Sequence, residues 1–340
     1  MCFACAGPPE HLSLHSAETF KSASWRVSGD ANEPRLVAVA ARTVWQTRGI
    51  FVTDAANACI KWLDQQHDEL KEVYRAERCA RLLNMMLYDS NSPDLYAIES
   101  IIEKSWLFTK TTRFRLLQID CHYSLIKHEM RCTIKWAAEL YEVDTKKLDV
   151  TGERTSLCHA GSYLLCSVAH SRRLVFFKHR SDKEEEEEEM TLKIETQMQT
   201  GTFTRAAGDQ LFDEEIMHVD ALSSHSGLLV AIAFVHSIRL YRHESSQSKV
   251  ADLNLQETFR VTRASVHMLL FYGDRLLVAE RSQNEENIWS WNIVGDRLET
   301  ARRVHLDSQS SVQSWCIGPS ENLIYCLDSV TNDILFLKLE

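Results

Sequence analysis

The sequence predicts an all-β protein, a single six-bladed β-propeller domain that spans residues 1–340. One phrase, two apolar runs separated by a polar turn, occurs near both ends of the chain, at Gly49–Asp64 ("GIFVTDAANACIKWLD") and Glu321–Glu340 ("ENLIYCLDSVTNDILFLKLE"). Four further copies, one of them less similar, lie between these two. The copies recur at intervals of about 55 residues, slightly above the 40 to 50 residues typical of propeller blades. Six copies of one structural unit predict six blades of a closed ring.

Further candidate strands flank each copy of the phrase. The middle copies are Asp94–Asp120, Ser162–His179, Gly227–His243 and Asp274–Val294. Another apolar strand precedes each copy, and a more polar, alternating strand follows all but the last; in the third repeat this outer strand is predicted at residues 190–198 ("MTLKIETQM"). Apolar inner strands with an alternating outer strand are expected where blades pack face to face around an axis.

A long helix over Ala55–Leu87 is the local alternative to this pattern. The segment is rich in Ala, Glu, Lys and Leu, and some of its apolar positions fit a helical stripe. The other copies of the phrase are rich in Val, Ile, Phe, Tyr and Trp, which favour strands. The repeat therefore favours strands in this segment too.

The repeated runs resemble NHL-type repeats, in which an apolar strand is followed by Asp, small residues and Asn, and then by a strand that begins with a β-branched residue. The best match is Phe51–Asp64 ("FVTDAANACIKWLD"). The stretch Ser226–His243 ("SGLLVAIAFVHSIRLYRH") resembles a divergent WD40 blade, without the paired Gly-His and Trp-Asp signatures of that family. The resemblance implies a β-propeller, and seven blades remain an alternative to six.

The two chain ends are predicted to close the ring. The sixth repeat stops after its third strand at Glu340, and an unpaired strand edge is rarely left exposed. The alternating segment Glu18–Val27 is predicted to pair antiparallel with Asp333–Leu339, which leaves residues 1–17 as a flexible N-terminus. A run of six glutamates, Glu184–Glu189, predicts a disordered acidic insertion at residues 181–190 that is either a spacer or a tether for a basic partner.

Composition limits the partners and the compartment. The formal net charge of −10 disfavours bulk binding of nucleic acid, although the basic stretch Ser171–Arg180 leaves RNA binding, as in some NHL-type propellers, as an alternative. No apolar run approaches the roughly 20 residues that span a bilayer, so no membrane contact is expected. Ten irregularly spaced cysteines favour reduced thiols, and thus the cytoplasm or the nucleus.

Familiar enzymatic motifs are absent from the sequence. Cys2 and Cys5 form the one close cysteine pair, and whether they are unmodified, acylated or metal-bound stays open, although the spacing to the following histidines is too short for a zinc finger. Two Cys-His dipeptides occur at 121–122 and 158–159, but adjacent strand residues point to opposite faces, so neither histidine can activate its own cysteine. No catalytic residue, cofactor or metal is therefore predicted.

A metal-dependent lactonase-type propeller hydrolase is the enzymatic alternative. Polar side chains lie at or just after the end of the first apolar run in several copies, where they would share one rim of the ring: Asp54, Glu99, Ser167 or His170, Glu280 and Asp328. Carboxylates at such turns more often bond their own backbone than a cation.

The expected function is that of a non-catalytic intracellular scaffold or adaptor, which binds other proteins as a subunit of a larger complex. Aromatic residues and arginine are the usual anchors of protein interfaces. The candidate contact residues are Trp62, Trp106, Trp289, Trp291 and Arg239. The alternative for each tryptophan is packing between blades.

Overall fold

The fold is taken from a computed structural model. The structure describes residues 11–12, 36–44, 47–64, 69–77, 80–87, 94–104, 110–124, 126–127, 129–144, 155–168, 172–179, 203–205, 209–224, 227–243, 253–261, 264–282, 286–294, 297–304, 312–317, 323–328 and 334–338. Among these residues no helix has the length and apolar character needed to cross a membrane.

Strands make up nearly all of the described residues. They are β1 (His11–Leu12), β2 (Leu36–Val44), β3 (Thr47–Asp54), β4 (Cys59–Asp64), β5 (Glu69–Arg75), β6 (Ala80–Leu87), β7 (Asp94–Lys104), β8 (Lys110–Ser124), β9 (Glu129–Asp144), β10 (Thr155–Ala160), β11 (Tyr163–Val168), β12 (Arg173–His179), β13 (Phe203–Arg205), β14 (Gln210–Leu211), β15 (His218–Ser224), β16 (Gly227–Phe234), β17 (Ser237–His243), β18 (Asn254–Arg260), β19 (Ser265–Tyr272), β20 (Arg275–Arg281), β21 (Glu286–Val294), β22 (Arg297–Val304), β23 (Val312–Ile317), β24 (Leu323–Asp328) and β25 (Ile334–Lys338).

Six sheets follow one another along the described chain, each built from consecutive antiparallel strands. The first four sheets are β2–β5, β6–β9, β10–β12 with β13 and β14 both paired to β12, and β15–β18. The fifth sheet is β19–β22, and its outer strand also pairs in parallel with β1. The sixth sheet contains β23–β25. Each sheet holds one copy of the repeated phrase in its second and third strands.

The first strands of the sheets form the inside of a ring. Strand β2 contacts β6, β6 contacts β10, β10 contacts β15, β15 contacts β19, and β19 contacts β23. The circuit returns to its start because β23 also contacts β2. The predicted all-β fold and β-propeller architecture are confirmed. The count of six blades stays a prediction, which this circuit supports.

The hydrophobic core is divided among the gaps between consecutive sheets. One cluster lies between the first and second sheets and contains Phe51, Trp62 and Leu117. Four similar clusters fill the next four gaps along the chain. The outer strand β18 has no fully buried residue, and exposed and half-buried side chains alternate over its last five residues. Burial on both faces explains why the inner strands read as continuous apolar runs.

The structure bears on two further details of the predicted strand pattern. The helix alternative over Ala55–Leu87 is wrong, because β4, β5 and β6 occupy the described part of that segment. In the third sheet, the strands that pair with β12 are β13 and β14, and the outer strand predicted at residues 190–198 lies outside the described residues.

Several other predictions also fall outside the described residues. They are the closing strand Glu18–Val27, the acidic insertion at 181–190, Trp106, His170, and the Cys2 and Cys5 pair. The described part of the N-terminal region, His11–Leu12, pairs with Arg303 and Val304 of the fifth sheet.

Gly49 is required by the packing of one tryptophan. A Cβ at this position would lie 1.9 Å from Cζ2 and 2.0 Å from Cη2 of Trp62, whose ring is buried. We expect Gly49→Ala to lower the free energy of unfolding by about 1–3 kcal/mol, the usual cost of overpacking a core. Urea denaturation measures this change. Combining Gly49→Ala with Trp62→Leu should cost less than the sum of the two single changes, and additive costs would contradict the predicted contact.

Candidate functional site

The predicted contact residues are held inside the protein to different degrees. Trp62 is only 2% exposed and packs against Phe51 with ring centroids 4.6 Å apart, so it offers no surface to a partner. Arg239 donates to Asp213 Oδ1 at 2.7 Å and also forms an ion pair with Glu214. Its guanidinium lies 4.4 Å above the Phe234 ring. Packing between blades, the alternative for the tryptophans, holds for Trp62.

The tryptophans of the fifth sheet are partly buried. Trp289 Nε1–H donates to Glu280 Oε2 at 3.1 Å, and the ring of Trp291 lies 5.4 Å from that of Phe259. Both belong to the apolar contacts between the fourth and fifth sheets. No observation tests whether Trp289, Trp291 or Arg239 contacts a partner, so that role stays a prediction.

The acidic residues considered for a metal site do occupy equivalent positions. In four sheets the first, inner strand has a β-bulge, and the residue beside the bulge pairs with an acidic residue of the second strand. The acidic residues at these four positions are Asp54, Glu99, Glu280 and Asp328. This coincidence of bulge and carboxylate is a repeat that the sequence reading did not detect, because an extra residue in one strand leaves no mark on the hydrophobic pattern.

These carboxylates have partners within the protein. Asp54 accepts hydrogen bonds from the backbone N–H groups of Ala56 and Asn57 and forms a buried ion pair with Lys61. Glu99, 1% exposed, pairs with Arg115. Burial raises the pKa of Glu99, and the Arg115 charge opposes that rise. Within the described ranges no group of three or more His, Cys, Asp and Glu side chains could hold a metal ion.

Side chains of the inner strands bind the backbone of a neighbouring inner strand around much of the ring. An inner strand has no neighbour of its own sheet on one edge, so its backbone groups there need other partners. The contacts join successive sheets: Asn84 Nδ2 to Thr155 O at 2.7 Å, Val219 N to Ser156 Oγ at 3.1 Å, Leu269 N to His218 Nδ1 at 3.3 Å, Phe271 N to Asp220 Oδ2, and Trp315 Nε1 to Leu269 O at 3.1 Å.

His218 and Asp220 concentrate ionisable groups on one inner strand. Both lie deep in the protein, yet each keeps part of its surface accessible, as expected of side chains near the central channel. Burial lowers the pKa of His218 to about 3, and the nearby His267 adds to that effect. Burial raises the pKa of Asp220 to about 7, against the N–H groups of Phe271 and Ala221 that favour its charged form.

His267 on the neighbouring inner strand has a defined tautomer. Its Nε2 lies 3.3 Å from the carbonyl oxygen of Val312 and 3.3 Å from Glu286 Oε1. A carbonyl oxygen can only accept, so Nε2 carries a proton, and in the neutral ring Nδ1 then has the lone pair. Nδ1 is buried and has no hydrogen-bond partner among the described residues, and the side chain is 9% exposed. We name His218, Asp220, His267 and Glu286 the inner-edge cluster.

Glu286 is itself fixed in place. Its Oε1 accepts the N–H of Val312 at 2.7 Å, and its Oε2 lies 3.1 Å from a guanidinium nitrogen of Arg281. The carboxylate therefore orients the imidazole of His267 from β21, while Val312 does so from the sixth sheet. The inner-edge cluster combines a buried base, an orienting carboxylate and two further ionisable groups.

Stability should depend on pH in opposite ways through His218 and Asp220. A buried neutral histidine with a lowered pKa stabilises the fold above about pH 6.5, and this contribution is lost as pH falls towards 3. The raised pKa of Asp220 stabilises the fold below about pH 4, and this contribution is lost as pH rises through 7. Relative to the wild type, we expect His218→Gln to gain stability and Asp220→Asn to lose it when pH falls from 7 to 4.

Urea denaturation at several pH values checks this prediction, and Asp274→Asn is the matched control because the Asp274 side chain is 85% exposed. The control should follow the wild type throughout. Parallel changes in His218→Gln and Asp220→Asn would contradict the assignment of opposite shifts.

Comparison with solved structures confirms the fold. A glucose dehydrogenase superposes with a TM-score of 0.54 at 12% identity, over 90% of this chain and 96% of its own. A soluble aldose sugar dehydrogenase from Escherichia coli has a TM-score of 0.53 at 10% identity, over 89% and 96%. An oxidoreductase from Thermus thermophilus, described as a glucose dehydrogenase, has a TM-score of 0.52 at 10% identity, over 90% and 97%. No protein-family model and no curated protein sequence matches the chain.

These neighbours overturn two predictions. The prediction of a non-catalytic scaffold or adaptor, and with it the prediction that the chain is not an enzyme, rested on the absence of familiar motifs. Propellers of the same size and fold include sugar dehydrogenases, so that absence does not indicate a scaffold, and both predictions are wrong. Protein partners and a cytoplasmic or nuclear location stay predictions.

Proposed function

We propose that this protein is an oxidoreductase that oxidises a hydroxyl group of an aldose or a related sugar at the inner-edge cluster. The observation that carries the proposal is the buried Nδ1 of His267, which has no partner in the described part of the chain and belongs to the inner strand that contacts the strand of His218. The sugar dehydrogenase neighbours supply the reaction class, since they share the fold over about nine tenths of the chain.

His267 acts as the base. Oxidation of an alcohol requires removal of its hydroxyl proton, and a neutral imidazole with a free lone pair accepts such a proton. The Nε2–H of His267 is directed at Val312 O and Glu286 Oε1, which leaves Nδ1 as the accepting atom. The imidazolium that forms is stabilised by the Glu286 carboxylate, in the way that a carboxylate supports the histidine of a catalytic triad.

His218 supplies a complementary donor. Its Nδ1 accepts the N–H of Leu269, so its proton lies on Nε2, and its low pKa keeps the ring neutral. A hydroxyl group both donates and accepts, so it matches one imidazole that offers an N–H and another that offers a lone pair. Asp220, two residues further along β15, adds an acceptor for a second hydroxyl of a sugar.

The reaction balances with a second substrate. Oxidation of the carbinol to a carbonyl breaks one C–H and one O–H bond; the O–H proton goes to His267 Nδ1, and the hydrogen on carbon leaves with two electrons. An organic two-electron acceptor, such as a soluble quinone, takes that hydride. The reduced quinone is then an anion that takes the proton from His267 and leaves as the quinol, which restores the enzyme.

The experiment is a dye-linked assay with the full chain. Purified protein is mixed with a panel of aldoses and dichlorophenolindophenol as terminal acceptor, with and without an added soluble quinone. We expect bleaching that depends on both protein and aldose and that is lost after heat denaturation. Absence of turnover with every aldose and every acceptor would contradict the proposed function.

A further inference from the structure

Two cysteines of the second sheet lie directly opposite each other. Cys121 on β8 pairs with Cys132 on β9, and the Cys132 thiol donates a hydrogen bond to Cys121 Sγ at 2.9 Å, with no disulfide between them. Directly opposite residues of an antiparallel pair have Cα atoms about 4.5–5.5 Å apart, within the range of about 4.4–6.8 Å that a disulfide spans. The backbone therefore already has the geometry that a bond between these two residues needs.

Two other neighbouring cysteine pairs lack this geometry. Cys158 lies opposite Leu165, while Cys166 lies opposite the residue that precedes Cys158. Cys316 and Cys326 in the sixth sheet are offset in the same way. An offset of one residue places two side chains on opposite faces of a sheet, so neither pair can be bridged without moving the backbone.

The pair is also accessible from one side. Cys132 is partly exposed, while Cys121 is 1% exposed and belongs to the apolar cluster between the first and second sheets. Both lie near the turn that joins β8 to β9, where Ile126 is 94% exposed. A reagent in solution can therefore reach Cys132 first, with Cys121 behind it as the resolving thiol.

We propose that Cys121 and Cys132 form a reversible redox modification site, oxidised by small-molecule disulfides such as oxidised glutathione. The Cys132 thiolate attacks one sulfur of the reagent, which forms a mixed disulfide and releases one thiol. The Cys121 sulfur then gives up its proton and attacks Cys132 Sγ, which releases the second thiol. Two protein thiols are oxidised to one disulfide, and one small disulfide is reduced to two thiols, which carry the two protons.

Oxidation would link β8 to β9 in the part of the hairpin that extends past the segment of β8 paired with β7. Strand β7 begins opposite Asp120 of β8, so among the described residues of this sheet only β9 lies beside the hairpin end that follows. A bond between Cys121 and Cys132 fixes this hairpin end against the first sheet through the apolar cluster that contains Cys121.

Tryptic mapping tests the site in the folded full chain. Cleavage after Arg115, Lys127, Arg131 and Lys135 places the two cysteines on separate peptides, 116–127 and 132–135, unless a disulfide joins them. Folded protein is incubated with oxidised glutathione, free thiols are then alkylated, and the denatured chain is digested for mass spectrometry. We expect the linked peptide to become the main form of both peptides and to disappear after dithiothreitol.

Matched variants make the result specific. Cys132→Ser should abolish the linked peptide, whereas Cys316→Ser, which also changes a partly exposed cysteine, should leave it unchanged. Circular dichroism verifies that each variant is folded. Accumulation of glutathione on Cys132 without the linked peptide would overturn the proposal, and so would equal linkage between Cys158 and Cys166.

Discussion

Lys61→Met should lower the free energy of unfolding by about 3–5 kcal/mol, the usual cost of removing one partner from a buried ion pair. Lys61 Nζ lies 2.9 Å from Asp54 Oδ2, and the two side chains are 3% and 0% exposed. Without the ammonium, Asp54 would remain as a buried carboxylate at the end of β3. Urea denaturation at pH 7 measures the loss, and added salt should change it little because the pair is shielded from ions.

Two controls separate the ion pair from the shape of the side chain. Combining Lys61→Met with Asp54→Asn removes both charges while an amide oxygen still accepts the N–H groups of the turn, so the double variant should be more stable than Lys61→Met alone. Arg131→Met removes a partner of Glu129 at the surface, where both side chains are exposed, and should cost at most about 1 kcal/mol. A cost as small for Lys61→Met would contradict the account.

His267→Gln should lower kcat/KM for aldose oxidation by about 10²–10⁴-fold, the range that a general base contributes. The glutamine amide N–H can still donate to Val312 O or Glu286 Oε1. The hydrogen bond from residue 267 of the fifth sheet to Val312 of the sixth sheet is therefore kept. The change removes the basic ring nitrogen, and the amide oxygen that glutamine brings does not take up a proton at neutral pH. The melting temperature should therefore stay near that of the wild type while activity is lost.

His122→Gln is the matched control for His267→Gln. The His122 side chain is 72% exposed and binds Asp120 at the surface of the second sheet, on an outer part of the ring. It should keep wild-type activity. Equal activity of His267→Gln and His122→Gln would show that His267 is not the base. The aldose panel would still test the reaction class independently.

The fold could be predicted because its periodic signal is strong. Segments such as Gly227–His243 contain two apolar runs with a short polar turn, and the structure forms β16 and β17 from that segment. Helix-forming residues did not decide the fold of Ala55–Leu87, because alternation of buried and exposed positions across the sheets outweighs intrinsic propensity. In the turn before β4, Ala58 adopts a positive φ of 51°. Glycine is the usual residue in this conformation, so an alanine gives no sign of it in the sequence.

The inner-edge cluster could not be found by searching for motifs. His218 and His267 lie on different repeats, and the ring brings their strands together only after folding. The signal that could have found them is their equivalent position in two repeats. Both histidines occur early in the inner strand of their repeat, in "HVDALSS" and "SVHMLLFY". The bulge in β19 could not be inferred, because the extra residue is compatible with the same apolar pattern.

The tautomer of His267 tests the central claim most directly. Long-range ¹H–¹⁵N correlation spectra of ¹⁵N-histidine-labelled protein distinguish a protonated ring nitrogen from one with a lone pair, and loss of signals in His267→Gln assigns the residue. The account predicts a neutral ring with the proton on Nε2 and the lone pair on Nδ1, and a shift of the Nδ1 signal when a turned-over aldose is added without an acceptor. A proton on Nδ1, or an Nδ1 signal that no aldose shifts, would contradict it.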